Sequence, residues 1–111
     1  MRDVLVCALE TDGYLVTAVA STMECLTLLD GGSTFDLLII DVITPPSMPH
    51  GFSLGRMAKH RNVGQKVLYI TGVLDLLPES AIQSLDEPIL AKPVRVSEFL
   101  DIVRRILASL D

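Results

Sequence analysis

Three residue types are scarce or scattered in this sequence, and each shortage removes a class of function. Cysteine occurs twice, at Cys7 and Cys25, with no second pair and no histidine at metal-ligand spacing. Neither a disulfide framework nor a thiolate metal site can be built from that, and two buried free thiols are expected. Histidine also occurs twice. His50 falls in a loop and His60 near a helix end, neither with a ligand partner, so both are expected at the surface. A phosphodonor histidine would need a helical domain of its own, for which the chain has no room. Basic residues are the third shortage: nine Lys and Arg face 14 Asp and Glu, for a net charge of -5. The one adjacent basic pair, Arg104-Arg105, has the spacing of a helix's wet face. Nucleic-acid binding needs clustered cations, so none is expected.

Long apolar runs are missing as well. No stretch reaches the roughly 18 residues a membrane span requires, so no membrane association is expected. The opening MRDVLVCALETDGY lacks a small-residue cleavage pattern, which excludes a signal peptide and predicts a cytoplasmic protein. What remains is an ordinary globular composition: 111 residues, 50% apolar and 21% charged. Such a chain is one domain, residues 1–111, able to bury about two thirds of its unfolded surface.

Along the chain, helical and strand patterns alternate. Val4, Leu5, Ala8 and Leu9 mark an amphipathic helix over 2–11, stopped by Asp12-Gly13. YLVTAVA predicts a strand at 14–20. Ser21 and Glu24 form a capping box for a helix over 22–30, closed by Gly31-Gly32. FDLLIID, 35–41, is apolar on both alternations, as in a parallel strand covered on both faces. After a proline-rich loop, FSLGRMAKHR predicts a helix with Leu54, Met57 and Ala58 on one face, weakened by Gly55. KVLYIT, 66–71, is the next strand, and Pro78-Glu79 open a short helix reaching Leu85. PILA, 88–91, is a brief strand. Phe99, Leu100, Val103, Ile106, Leu107 and Leu110 mark the terminal helix. The alternation predicts an α/β fold with an open, mostly parallel sheet of about four strands and helices on both faces.

In such sheets ligands bind beyond the carboxyl ends of the strands. Three chemically complementary residues fall there: Asp41 after LLII, Thr71 after VLYI and Lys92 after PILA. A carboxylate can serve as nucleophile and carry a phosphoryl group. An ammonium and a hydroxyl can hold the transferred group's oxygens.

With DGY, FDLLIID, VLYITG and AKP in this order and register, nearly the whole chain resembles a response-regulator receiver domain. The resemblance implies a flavodoxin-like fold and two-component phosphorelay signalling in place of enzymatic turnover. It makes Asp41 the phosphoacceptor from a histidine kinase, with Thr71 the switch hydroxyl and Lys92 the phosphate-contacting ammonium. Lys92-Pro93 becomes a candidate cis bond.

The chain also departs from that pattern. Receivers open with a central strand ending in an acidic pair that holds Mg²⁺, whereas Met1 falls where the family's first helix starts, so an N-terminally truncated receiver is expected. Asp41 and the backbone carbonyl of Ile43 are then the remaining candidate Mg²⁺ ligands, with Asp75 as a conceivable third, a poor cage for an ion that prefers several oxygens. The loop between Asp41 and Gly51 is long for the family, and the aromatic switch position holds Ile89. In the 2-1-3-4-5 order the first strand is central. Losing it leaves unpaired strand edges, which invite pairing. The expectation is either a rearranged sheet in which residues 14–20 move, or a homodimer through the exposed edges.

Three functions are compatible with these residues. One is a stand-alone receiver, phosphorylated at Asp41, that signals to a downstream target by protein contact. Another is a degenerate pseudo-receiver acting as a phosphorylation-independent dimerisation or interaction module. A phosphatase of the haloacid-dehalogenase type is the weakest, because the second aspartate such enzymes carry two residues on is here Ile43.

Overall fold

The computed structural model describes residues 2–19, 21–42, 50–72 and 87–108, with 2, 22 and 50–52 described by their backbone alone. Four helices and three strands occur among them: α1 (Arg2–Thr11), α2 (Thr22–Asp30), β1 (Leu37–Val42), α3 (His50–Arg61), β2 (Lys66–Thr71), β3 (Ile89–Ala91) and α4 (Val96–Ala108). The sheet is wholly parallel, in the order β1-β2-β3.

Local chemistry accounts for the helix ends. α1 stops where Gly13 takes φ +95, a conformation that costs a residue without Cβ little. The Glu24 N–H donates to the Ser21 hydroxyl oxygen at 3.1 Å, fixing the start of α2 as the capping box predicts. At its far end Gly32 is left-handed, and the Ser33 N–H reaches back to the Leu28 carbonyl at 3.0 Å.

β2 is the axis of the core. Its side chains alternate between two apolar clusters on opposite faces of the sheet. Val67 and Tyr69 join Leu38, Ile40, Val42 and the buried residues of α2 and α3. Leu68 and Ile70 join Leu5, Leu9, Phe99 and Val103 from α1 and α4. A strand covered on both faces has no polar alternation, which is why KVLYI reads as continuously apolar. β1 is only partly of that kind. Leu38, Ile40 and Val42 are buried, whereas Leu37 and Ile39, on the α1/α4 side, are half-covered.

Several expectations need correction. The expected open, parallel α/β sheet is present, but residues 14–19 are not a strand, and among the described residues the sheet has three strands. The composition of YLVTAVA favours a strand, but a strand exists only when its backbone is paired, and among the described strands β1 pairs with β2 alone. Met57, expected on the buried face of α3, is 45% exposed; Leu54 and Ala58 are buried as expected. Cys25 is buried but Cys7 is exposed. His60 and both Arg104 and Arg105 are exposed, in line with the sequence. Arg104 does more than face water: its guanidinium donates to both Asp12 carboxylate oxygens, at 2.8 and 3.1 Å, tying α4 to the end of α1. That contact holds the Asp12 carboxyl below its ordinary pKa. The helix expected from Pro78 to Leu85, and Leu110, lie outside the described residues.

Tyr69 couples this core to pH. Burial, with the Glu87 carboxylate adding to it, pushes its phenol up to about 12. The fold therefore favours the neutral form, relative to an unfolded value near 10. The resulting stability is fully present below about pH 10 and is lost as pH climbs toward about 12, a change of roughly 2–3 kcal/mol. Urea midpoints measured from about pH 9 to about pH 12 should fall steeply for the wild type and less steeply for Tyr69→Phe. Equal slopes would show that Tyr69 does not govern the alkaline limb.

Candidate functional site

The three strands end at one edge of the sheet. Register places Val42 opposite Thr71 and Thr71 opposite Ala91, so Asp41, Thr71 and Lys92 lie within one residue of a common line. Asp41 shares the parity of Leu37 and Ile39 in β1, but its side chain is 43% exposed. A carboxylate at that position stays hydrated, which answers why so apolar a strand can end in one.

Lys92 closes the site. Its ammonium stands 2.9 Å from one carboxylate oxygen of Asp41 and 3.0 Å from the other. Its own N–H donates to the Thr71 carbonyl at 2.8 Å, which extends the β2–β3 pairing one residue and aims the side chain across the sheet edge. The Lys92–Pro93 peptide bond is cis, as the AKP motif suggested. Thr71 is fully buried at the end of β2, between Val42 and Ala91. Ile89, the expected aromatic position, lies opposite Tyr69 and packs, half-buried, on the α2/α3 cluster.

An ion pair this exposed adds little to stability, on the order of 0–1 kcal/mol. Chemically, the arrangement sets a carboxylate, a group able to act as a nucleophile, against an ammonium able to stabilise negative charge on an incoming group. Two further contacts hold the strands in place. Gln65, buried just before β2, donates from its amide to the Phe35 carbonyl at 3.1 Å, bridging the entries of β1 and β2. Lys59 of α3 pairs with Glu87 at 2.7 Å just before β3. Gln65 had one legible signal, a polar side chain directly preceding an apolar strand.

The described residues do not make a Mg²⁺ cage. No three His, Cys, Asp or Glu side chains stand together among them, and Asp41 already faces an ammonium. An ion that demands near-octahedral oxygen coordination finds one carboxylate here. Ile43 and Asp75, the other candidate contributors, lie outside the described residues.

No protein-family model matches the chain, but solved structures do. A response regulator receiver protein from Sinorhizobium medicae is 28% identical, with TM-score 0.77, over 95% of this chain and 83% of that one. A CheY-like receiver domain protein from Methanospirillum hungatei is 26% identical, with TM-score 0.81, over 96% of this chain and 84% of that one. A response regulator from Thermotoga maritima, crystallised in complex with Mg²⁺ and BeF, is similar in fold, with 20% identity and TM-score 0.75 over 95% of this chain and 88% of that one.

Proposed function

The chain has the fold of a response-regulator receiver, and on that premise we propose that it is a signalling receiver with Asp41 as phosphoacceptor. The observation that carries this reading is the contact of Lys92 with both Asp41 oxygens, beside Thr71, at the carboxyl edge of a parallel sheet. The donor is a phosphohistidine of a histidine kinase. A carboxylate oxygen of Asp41 attacks phosphorus, the P–N bond breaks, and its electron pair leaves with the imidazole nitrogen, which takes up a proton. The Lys92 ammonium moves from the carboxylate to the phosphoryl oxygens, and the Thr71 hydroxyl turns to donate to them. The chain acts as an acceptor, not a turnover enzyme, and passes its state to a target protein by contact. It works in the cytoplasm, and it pairs with a second copy through β1 or β3, each of which has one partner strand among the described residues.

A second reading draws on two observations. Lys92 already neutralises the one described carboxylate of the site, and Ile89 stands where the family's switch aromatic belongs. On this reading the domain is an interaction module that works without phosphorylation.

One experiment separates the two. The protein is incubated with Mg²⁺ and a small-molecule phosphodonor, and its intact mass is read. Mg²⁺ is included because a similar fold was solved with it, although Asp41 alone among the described site residues could offer it a carboxylate. The receiver reading expects a phosphoryl adduct that disappears in Asp41→Asn and is weakened in Lys92→Gln. No adduct at saturating Mg²⁺ would leave the interaction module.

A further inference from the structure

Charge is segregated along this chain. From Val42 to Leu74 the sequence has no Asp or Glu, yet it holds Arg56, Lys59, Arg61 and Lys66, four of the nine Lys and Arg of a chain with net charge -5. α3 carries three of those four. Leu54 and Ala58 turn one side of the helix into the core. On the other side Arg56 and His60 stand one turn apart, with Met57 and Arg61 one turn apart beside them, and all four are exposed. The turn that follows leaves Val63 90% exposed. It is held by the Gly64 N–H, which donates to the Asn62 side-chain oxygen at 3.3 Å, and by the Gln65 N–H, which donates to the Asn62 carbonyl at 2.9 Å. Ion pairs reach the flanks of this face: Glu87 meets Lys59 at 2.7 Å on the β3 side, and Asp30 meets Arg61 at 2.6 Å on the α2 side. Arg56, between them on the helix, has no ion-pair partner among the described residues.

We infer that this face of α3, with Val63, docks an acidic segment of a partner protein that carries an aliphatic side chain among its carboxylates. Charge complementarity defines the partner: a carboxylate-bearing segment is repelled by the net-negative remainder of the molecule and attracted here. The Arg56 guanidinium presents a fork of donors that one carboxylate meets with both oxygens. Met57 and Val63 offer apolar surface to the aliphatic side chain, and arginine and methionine are types enriched where proteins meet. From Arg56 to Arg61 the face is about 8 Å long, so the partner contributes about two helical turns. A nucleic acid or an anionic membrane fits less well. Either spreads its charge widely enough to bring the molecule's own carboxylates within a Debye length, about 8 Å. The inference does not depend on whether Asp41 accepts a phosphoryl group.

The test uses the protein as it is and a labelled probe peptide built of Asp, Glu and Leu. In a control peptide Asn and Gln replace the acids, so shape and apolar character are kept and charge is lost. Binding is followed by fluorescence anisotropy, and backbone amide NMR shifts locate the peptide. The expected result is saturable binding of the acidic peptide only, weakening as salt is raised, with shifts confined to residues 56–64. Arg56→Glu should weaken binding about tenfold or more. Arg56→Gln and Met57→Ser should weaken it less. Arg105→Glu, the same change of charge at an exposed position of α4, should leave it unchanged. No binding, or equal binding of the uncharged control, overturns the inference. Equal weakening by Arg105→Glu would make the attraction a matter of net charge and overturn it too. Tighter binding of phosphatidylserine vesicles or of an RNA oligonucleotide, lost in Arg56→Glu, would assign the face to a polyanion instead. Concentration-dependent shifts at 56–64 without peptide would mean that a second copy covers the face, and either result overturns the inference.

Discussion

Replacing Gly55 by alanine is expected to destabilise the domain by about 1–3 kcal/mol, although the same change favours an isolated helix by about 1 kcal/mol. A Cβ at Gly55 would overlap the Tyr69 hydroxyl, stand 2.7 Å from its Cζ and 3.1 Å from its Cε1. The tyrosine cannot retreat. It is fully buried, its residue pairs with Ile40 on one side and Ile89 on the other, and its N–H is bonded to the Pro88 carbonyl at 3.1 Å. α3 must therefore move off the sheet, and with it Leu54 and Ala58. Gly64 supplies the control, since a Cβ there finds its nearest neighbour, the Asn62 side-chain oxygen, at 3.9 Å. Gly64→Ala should be neutral or slightly stabilising. Urea midpoints of Gly55→Ala, Tyr69→Phe and the double variant complete a cycle. Removing the hydroxyl should recover part of the loss, giving a coupling above about 0.5 kcal/mol. Strict additivity would show that the two residues do not clash.

Gly55 also marks where the sequence was readable and where it was not. Its effect on helix propensity is visible in one dimension, and that is the effect the sequence suggests. The reason glycine is needed there is a ring arriving from β2, fourteen residues on, which no local pattern announces. Elements specified locally were legible: the Ser21 cap, the left-handed stop at Gly13 and the unbroken apolar run of β2 all appear where the chemistry puts them. The same holds for Asp41, Thr71 and Lys92, because strand ends in a parallel sheet converge whatever lies between them. Residues 14–19 misled because strand propensity measures fitness for a pleated surface and not the presence of a partner. Met57 and Cys7 misled for a related reason: helical periodicity fixes which residues share a face, but the width of that face buried depends on neighbouring elements.

Truncating Phe99 to alanine should cost the domain about 3–5 kcal/mol, the usual range for emptying a fully buried phenylalanine site. Phe99 is fully buried at the centre of the cluster that joins α4 to α1 and to Leu68 and Ile70 of β2. A domain of this size has only about 5–15 kcal/mol in total, so the variant should sit near the edge of folding at ambient temperature. The loss should not stay on one face of the sheet. β2 contributes alternate side chains to both clusters, so amides at 67–70 should exchange faster together with those of α4. Protection lost in α4 alone would instead mean that this helix docks as a separate unit. The same measurement bears on the site. Lys92 stands four residues before α4 begins, and its hold on Asp41 depends on where that helix anchors the chain. If Asp41 accepts a phosphoryl group as proposed, that transfer should fall, under conditions where Phe99→Ala remains mostly folded, with the fraction of molecules in which α4 is docked, and a variant at the exposed Arg105 should leave it unchanged.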